Sequence, residues 1–206
     1  MLYEELISKL SDGNIKAIEL IDYAIESNLT FSWHPLGFAV CKICELGDIT
    51  MRLHIWPTDG GRPQNPNWKI HNHLFDLNSW VLQGRINDTE YTLIDSGVKY
   101  RLYNVAYTTN GSILSRTNST IDINIFAKKT IAEGDSYQIK SGFFHKSEAC
   151  PNNIAVTVVE ANKTNMTTPQ VVGDLEGCNA YQYERMVLST DEVMFLRASI
   201  LAVTNN

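Results

Sequence analysis

The spacing of apolar positions changes once along the chain. Between residues 2 and 27 the apolar side chains fall at Leu6, Leu10, Ile15, Ile18, Leu20, Ile21 and Ile25, with Asp12-Gly13-Asn14 breaking the run. Helical spacing on either side of a polar, Gly-containing break predicts two amphipathic helices joined by a turn. From Gly37 onward the period is two, the signature of strands whose side chains alternate between faces. Strands are predicted over 37–45, 49–56, 78–86, 90–96, 99–107, 120–127, 136–139 and 154–160, with turn residues between them. Residues 57–69 are too rich in Pro, Gly and Asn for a strand and read as a loop. Near the C-terminus, Ser189-Thr190-Asp191-Glu192 forms a capping box that opens a helix through Val193, Phe195, Leu196 and Ile200. The class is therefore mainly β with helical ends.

Composition narrows the picture. A chain of 206 residues with 44% hydrophobic and 19% charged side chains can bury a core within one domain, and nothing in it is disordered by composition. The net charge of −6, with no basic cluster longer than Lys128-Lys129, excludes nucleic-acid binding by bulk electrostatics. Met1-Leu2-Tyr3-Glu4-Glu5 carries acids where a secretory signal needs positive charge, and no stretch approaches the ~18 apolar residues of a membrane span. A cytoplasmic protein without membrane association is expected, so the Asn-x-Ser/Thr triplets at Asn28, Asn118 and Asn162 read as composition rather than glycosylation sites. Cys41 and Cys44 have CxxC spacing, but on a strand i and i+3 face opposite ways, and Cys150 and Cys178 stand alone. Free thiols are expected, with Cys150 placed near any site built around His145.

The candidate chemistry lies in the histidines. On a strand, His71 and His73 project to one face and can reach one ion together. His145, which follows the turn–strand–turn pattern of Gly134 to Gly142, is the candidate third ligand from a neighbouring strand. By the same parity Leu77 faces inward with the pair and Asp76 faces away, unless a bend after His73 turns its carboxylate toward the ion.

With Gly84, Gly134 and Gly142 at matching offsets, these segments resemble the paired motifs of the cupin superfamily, and the match spans residues 71 to 149. That resemblance implies a double-stranded β-helix (jelly-roll barrel) over 35–185, flanked by the helical extension at 1–30 and the helix at 189–202, with a metal between the motif strands. It also implies a homodimer, for which the N-terminal helices are one candidate surface. Leu77 stands where most cupins place a ligating Glu, Lys140 replaces a Pro and Ala149 an Asn. A three-His site without a carboxylate is similar to that of cysteine dioxygenase-type thiol dioxygenases. The resemblance thus implies non-haem Fe(II), O2 and a small organic substrate, with a thiol among the candidates. The upstream stretch Phe38-Ala39-Val40-Cys41-Lys42 lacks the family's carboxylate-clamping Arg, for which Lys42 or Arg52 could stand in. Leu77 occupies the place of the crosslinking Cys, and Ile154 to Glu160 holds no Ser-His-Tyr relay.

Zn, Mn or Ni would suit the same ligands as a Lewis acid in an isomerase, lyase or hydrolase, and a non-catalytic, ligand-sensing cupin is a further reading. Arg52, Arg85, Arg101 and Tyr137 are the polar groups expected near the cavity: the arginines as carboxylate forks or as surface charges, Tyr137 as an acid or oxygen-binding hydroxyl or as core packing. Trp68 and Arg62 are either a substrate lid or an ordinary surface excursion. His34 and His54 read as surface or pocket-edge residues.

Overall fold

The computed structural model describes residues 1–95 and 98–204. Its elements, in chain order, are α1 (Tyr3–Ser11), α2 (Ala17–Glu26), β1 (Phe31–Trp33), β2 (Leu36–Gly37), β3 (Ala39–Leu46), β4 (Ile49–Trp56), β5 (Arg62–Pro63), β6 (Phe75–Gln83), β7 (Arg85–Ile94), β8 (Tyr100–Thr108), β9 (Gly111–Ala132), β10 (Ser136–Ile139), β11 (Phe144–Ala149), β12 (Ala155–Lys163), β13 (Gln170–Asp174), β14 (Ala180–Glu184) and α3 (Thr190–Thr204). The mainly-β class with two N-terminal helices and one C-terminal helix is what the alternating pattern implied.

Two antiparallel sheets face each other. The first runs β1-β3-β4-β12-β6-β10; the second runs β11-β7-β9-β8-β13, with β14 added to β9. β4 of the first sheet divides its two faces. On β4, Met51, Leu53 and Ile55 are fully buried against the helices, while Arg52, His54 and Trp56 line a cavity between the sheets. The helices supply Leu6, Leu10, Leu20, Ile21, Leu196 and Ile200 to the helix-side core. Polar contacts set their positions: Glu192 and Ser189 cap α3 reciprocally, and the Arg197 guanidinium donates to both carboxylate oxygens of Asp22 on α2. The buried Glu160 carboxylate on β12 accepts from the Tyr3 hydroxyl and from Asn78 Nδ2, each at 2.5 Å, which ties α1 to the sheet.

Several expectations need correction. Among the described residues the two sheets form a sandwich rather than a closed barrel. The chain passes from one sheet to the other at residues 71–75. The chain belongs to the second sheet at His71 and to the first from Phe75, so Asn72, His73 and Leu74 are spent on the crossing rather than on a continuous strand. The strand predicted at 78–86 runs from Phe75 to Gln83, and the next spans Arg85–Ile94 rather than 90–96; residue 96 lies outside the described residues. Gly84, between them, has φ +77°, and a Cβ there would lie 2.3 Å from the Ile154 carbonyl oxygen, so only glycine fits this tight reversal. The strand predicted at 120–127 is part of the 22-residue β9, and β1, β5, β11, β13 and β14 were not foreseen. A bulge between Lys42 and Cys44 leaves Cys41 buried and Cys44 half-buried on the helix-side core; all four thiols are free. No helix among the described residues is long and apolar enough to cross a membrane.

Candidate metal centre

His71 forms antiparallel bridges with His145 on β11 and with Val171 on β13, the two end strands of the second sheet. Its N–H donates to the His145 carbonyl at 3.0 Å, and the His145 N–H returns the bond at 2.9 Å. These backbone bonds bring ligands 74 positions apart in number to one spot without using either imidazole. Asn72, 4% exposed, staples the crossing: its Oδ1 accepts from the Gln170 N–H at 2.6 Å and its Nδ2 donates to the Gly142 carbonyl at 3.3 Å. The chain then bends at Leu74, so His71 and His73 are not partners on a regular strand, yet their rings meet edge to face at 4.6 Å. The His145 ring lies 4.9 Å from that of His71 and 5.0 Å from that of His73.

One nitrogen from each ring lies within 4.8 Å of the other two. His71 Nδ1 stands 2.8 Å from the Lys69 carbonyl oxygen, and His145 Nδ1 stands 3.1 Å from Asp88 Oδ1. Both acceptors call for a proton on Nδ1, which leaves each Nε2 lone pair free for a ligand. His145 Nε2 and His73 Nε2 are 2.8 Å apart. Two nitrogens bound at right angles to one ion at ~2.1 Å would be separated by about 3 Å, so this close approach fits a shared cation. Burial pushes His71 down to about 3, and burial together with the neighbouring His71 and His145 pushes His73 well below its ordinary value. Neutral imidazoles are the state a divalent metal requires.

Asp88, 2% exposed on β7, accepts from Ser147 Oγ at 2.7 Å as well as facing His145. The pair orients the His145 ring from behind. Asp88→Asn is accordingly expected to weaken metal affinity about 10–100-fold, read by competition with a chromogenic chelator; unchanged affinity would show that Asp88 does not orient the ligand.

The three imidazoles open onto a cavity of about 670 Å³ between the sheets. Leu77 and Tyr137 line it, as do Arg52, His34, His54 and Trp68. Burial raises the Tyr137 pKa, with Ser79 and Ser147 beside the hydroxyl, so the group stays protonated. Arg85 does not join them. It opens β7 with its side chain exposed, because the buried parity of that strand belongs to Ile86 and Asp88. Arg101 is occupied elsewhere, donating to the Leu175 and Thr117 carbonyls. Asp76 turns away, with Oδ1 accepting from the Ser141 N–H at 2.8 Å and Oδ2 paired with Lys140 at 3.1 Å. Trp68 is a fixed wall rather than a lid: it packs on Tyr103 and Tyr181, and a Cβ at Gly173 would lie 2.5 Å from its ring. Arg62 is exposed, beside Asp59 and over the Trp33 ring. Cys150 lines an adjoining pocket of about 200 Å³ that shares Leu36, Phe38, Trp56 and Ser147 with the cavity.

The sequence reading missed Asp88, Ser147, the stapling role of Asn72, and Tyr107 and Arg185 in the cavity wall. Asp88 did carry a signal, since it shares parity with the apolar Ile86 two residues earlier.

No family model matches the chain, and no curated protein does. Among solved structures it is similar to a hydroquinone 1,2-dioxygenase, PnpCD, determined in complex with Cd2+ and 4-hydroxybenzonitrile, at a TM-score of 0.35 and 12% identity. The alignment covers 60% of this chain and 63% of that one, less than two thirds of its length.

Proposed function

We propose that this chain is a cupin-like, mononuclear Fe(II) oxygenase acting on a small organic substrate. The observation that carries the reading is a donor set of three buried or half-buried imidazoles with no carboxylate among them, opening onto a cavity large enough for an organic molecule. His71, His73 and His145 would hold the ion. Ferrous iron, when bound there, would supply the redox centre for O2 activation.

The protein's own part is orientation and exclusion of water. Lys69 O and Asp88 hold protons at the Nδ1 atoms of His71 and His145 and keep each Nε2 aimed at the centre. Leu77 and Val159 keep the adjoining wall apolar. The Tyr137 hydroxyl lines the cavity as a neutral donor for an oxygen of the reacting molecule.

A redox reaction is favoured over isomerase or lyase chemistry by the shortage of bases. Glu45 supplies the one carboxylate among the described cavity-lining residues, and it is paired with Lys42 at 2.8 Å. Burial holds His54 down to about 3 and His34 well below its ordinary value, which makes both poor proton acceptors at neutral pH.

The test is anaerobic reconstitution with Fe(II), quantification of iron per chain, and O2 uptake over a panel of thiols, phenols and aromatic acids. Stoichiometric iron with substrate-dependent uptake, absent from the Zn(II)-loaded protein, is expected. Turnover by the Zn, Mn or Ni forms without O2 consumption would replace this reading with the Lewis-acid one.

A further inference from the structure

Two guanidinium groups in the cavity have no anion to answer them. Arg52 projects from β4 with its guanidinium carbon 5.3 Å from the centre of the Phe75 ring, and Arg185, just beyond β14, lines the same cavity. Neither has a hydrogen-bond or ion-pair partner for its side chain among the described residues. The neighbourhood makes this worse. Lys42 stands opposite Arg52 on β3, and Glu45, the carboxylate available there, is committed to Lys42. Like charges facing each other across strands repel, and a partly desolvated charge without a counter-ion is costly.

Electrostatics agree with that geometry. Burial, and then the charge of Arg185, push the Arg52 guanidinium below its ordinary value, though an arginine remains charged at neutral pH. Tyr107, half-exposed, lies in the fields of both cations, and a phenol is a neutral donor at neutral pH. The field of Arg52 also reaches His54 and His73, so the cationic end and the three imidazoles belong to one chamber. Its remaining wall is largely aromatic and aliphatic, with Phe38, Trp56, Trp68, Phe75 and Leu77. A volume of about 670 Å³ lies in the ~300–1,000 Å³ range of pockets that enclose drug-sized ligands.

We infer that the cavity takes an organic acid with an apolar, aromatic-sized body, its carboxylate held by Arg52, Arg185 and the Tyr107 hydroxyl and its body lying in the apolar chamber that the three imidazoles face. A guanidinium matches a carboxylate through two parallel N–H donors, which a neutral amide cannot exploit in the same way. The inference deepens the oxygenase reading and rests on it only in making the bound acid the substrate.

Calorimetric titration of the metal-loaded protein with phenylacetate, phenylacetamide and cysteine tests it, with metal content measured on the same samples. Phenylacetate is expected to bind about tenfold or more tightly than its amide and than cysteine. Arg52→Gln abolishes that preference at unchanged metal content, Arg52→Lys recovers part of it, and Arg185→Gln weakens it less because Arg185 is exposed. Equal binding of acid and amide, no binding of the acid to fully loaded protein, or an undiminished preference in Arg52→Gln would each overturn the inference. Acid preference that follows Arg52 without any O2 consumption would uphold the anion site and remove the oxygenase reading instead.

Discussion

Replacing His145 with alanine is expected to reduce bound divalent metal from one ion per chain to a trace while leaving the sandwich folded. His145 is 3% exposed and, among the described residues, supplies the one candidate ligand from outside the His71-Asn72-His73 crossing. Without it two imidazoles remain, too few to retain a divalent ion through dialysis against a chelator. The backbone bonds between His71 and His145 do not depend on the side chain, so the two segments stay joined. The substitution does leave the Asp88 carboxylate with fewer partners, although Ser147 Oγ still donates to it. A loss of about 1–3 kcal/mol in the metal-free protein follows from that orphaned contact. Metal analysis after dialysis and urea unfolding of the metal-free form measure the two effects separately, and stoichiometric metal in the variant would mean that other groups bind the ion.

Leu53→Ala is expected to do the reverse, lowering stability by about 2–5 kcal/mol with metal content unchanged. Leu53 is fully buried at the centre of β4, between Cys41 on β3 and Val158 on β12, in the core shared with the helices. Removing its isobutyl group leaves a void that the surrounding strands and helices can close only in part. Its neighbours Arg52 and His54 point the other way, into the cavity, so the metal centre on the far side of the sheet is untouched. A lower urea midpoint together with full metal occupancy checks the prediction. Loss of metal in this variant would show that the two faces of the sheet are coupled.

The strands and ligands that could be read from the sequence share a physical character. β4 falls where it was predicted, because Met51, Leu53 and Ile55 alternate cleanly with Arg52, His54 and Trp56 and the two faces have different surroundings. β11 was invisible because its two buried residues, Phe144 and His145, are adjacent, and the remainder of the strand is mostly polar. β9 continues across the polar run Ser115 to Thr120 because β8 pairs on both sides of it, with a register shift between Arg116 and Thr120, a tertiary effect that no local pattern reports. The three histidines were legible from residue type and from spacing against the glycines. The first two do converge as expected, although His71 sits in isolated bridges and His73 just before the bend at Leu74 rather than on a continuous strand. Asp88 was passed over because it falls between the strands predicted at 78–86 and 90–96, where an acid reads as a turn residue, whereas it lies inside β7. Arg185 follows a strand that the pattern did not show, so nothing directed it toward the cavity.

The mutual bridge between His71 and His145 has a thermodynamic consequence. An unfolded chain offers only the local His71-x-His73 pair, and the third nitrogen arrives when the second sheet forms. An ion that binds the native chain and not the unfolded one stabilises it by mass action, by ~2.7 kcal/mol at a free concentration a hundred times the dissociation constant. With an ion held by the three imidazoles, folding stability would depend on the metal supply as well as on the sequence, and two preparations that differ only in ion occupancy would behave as proteins of different robustness.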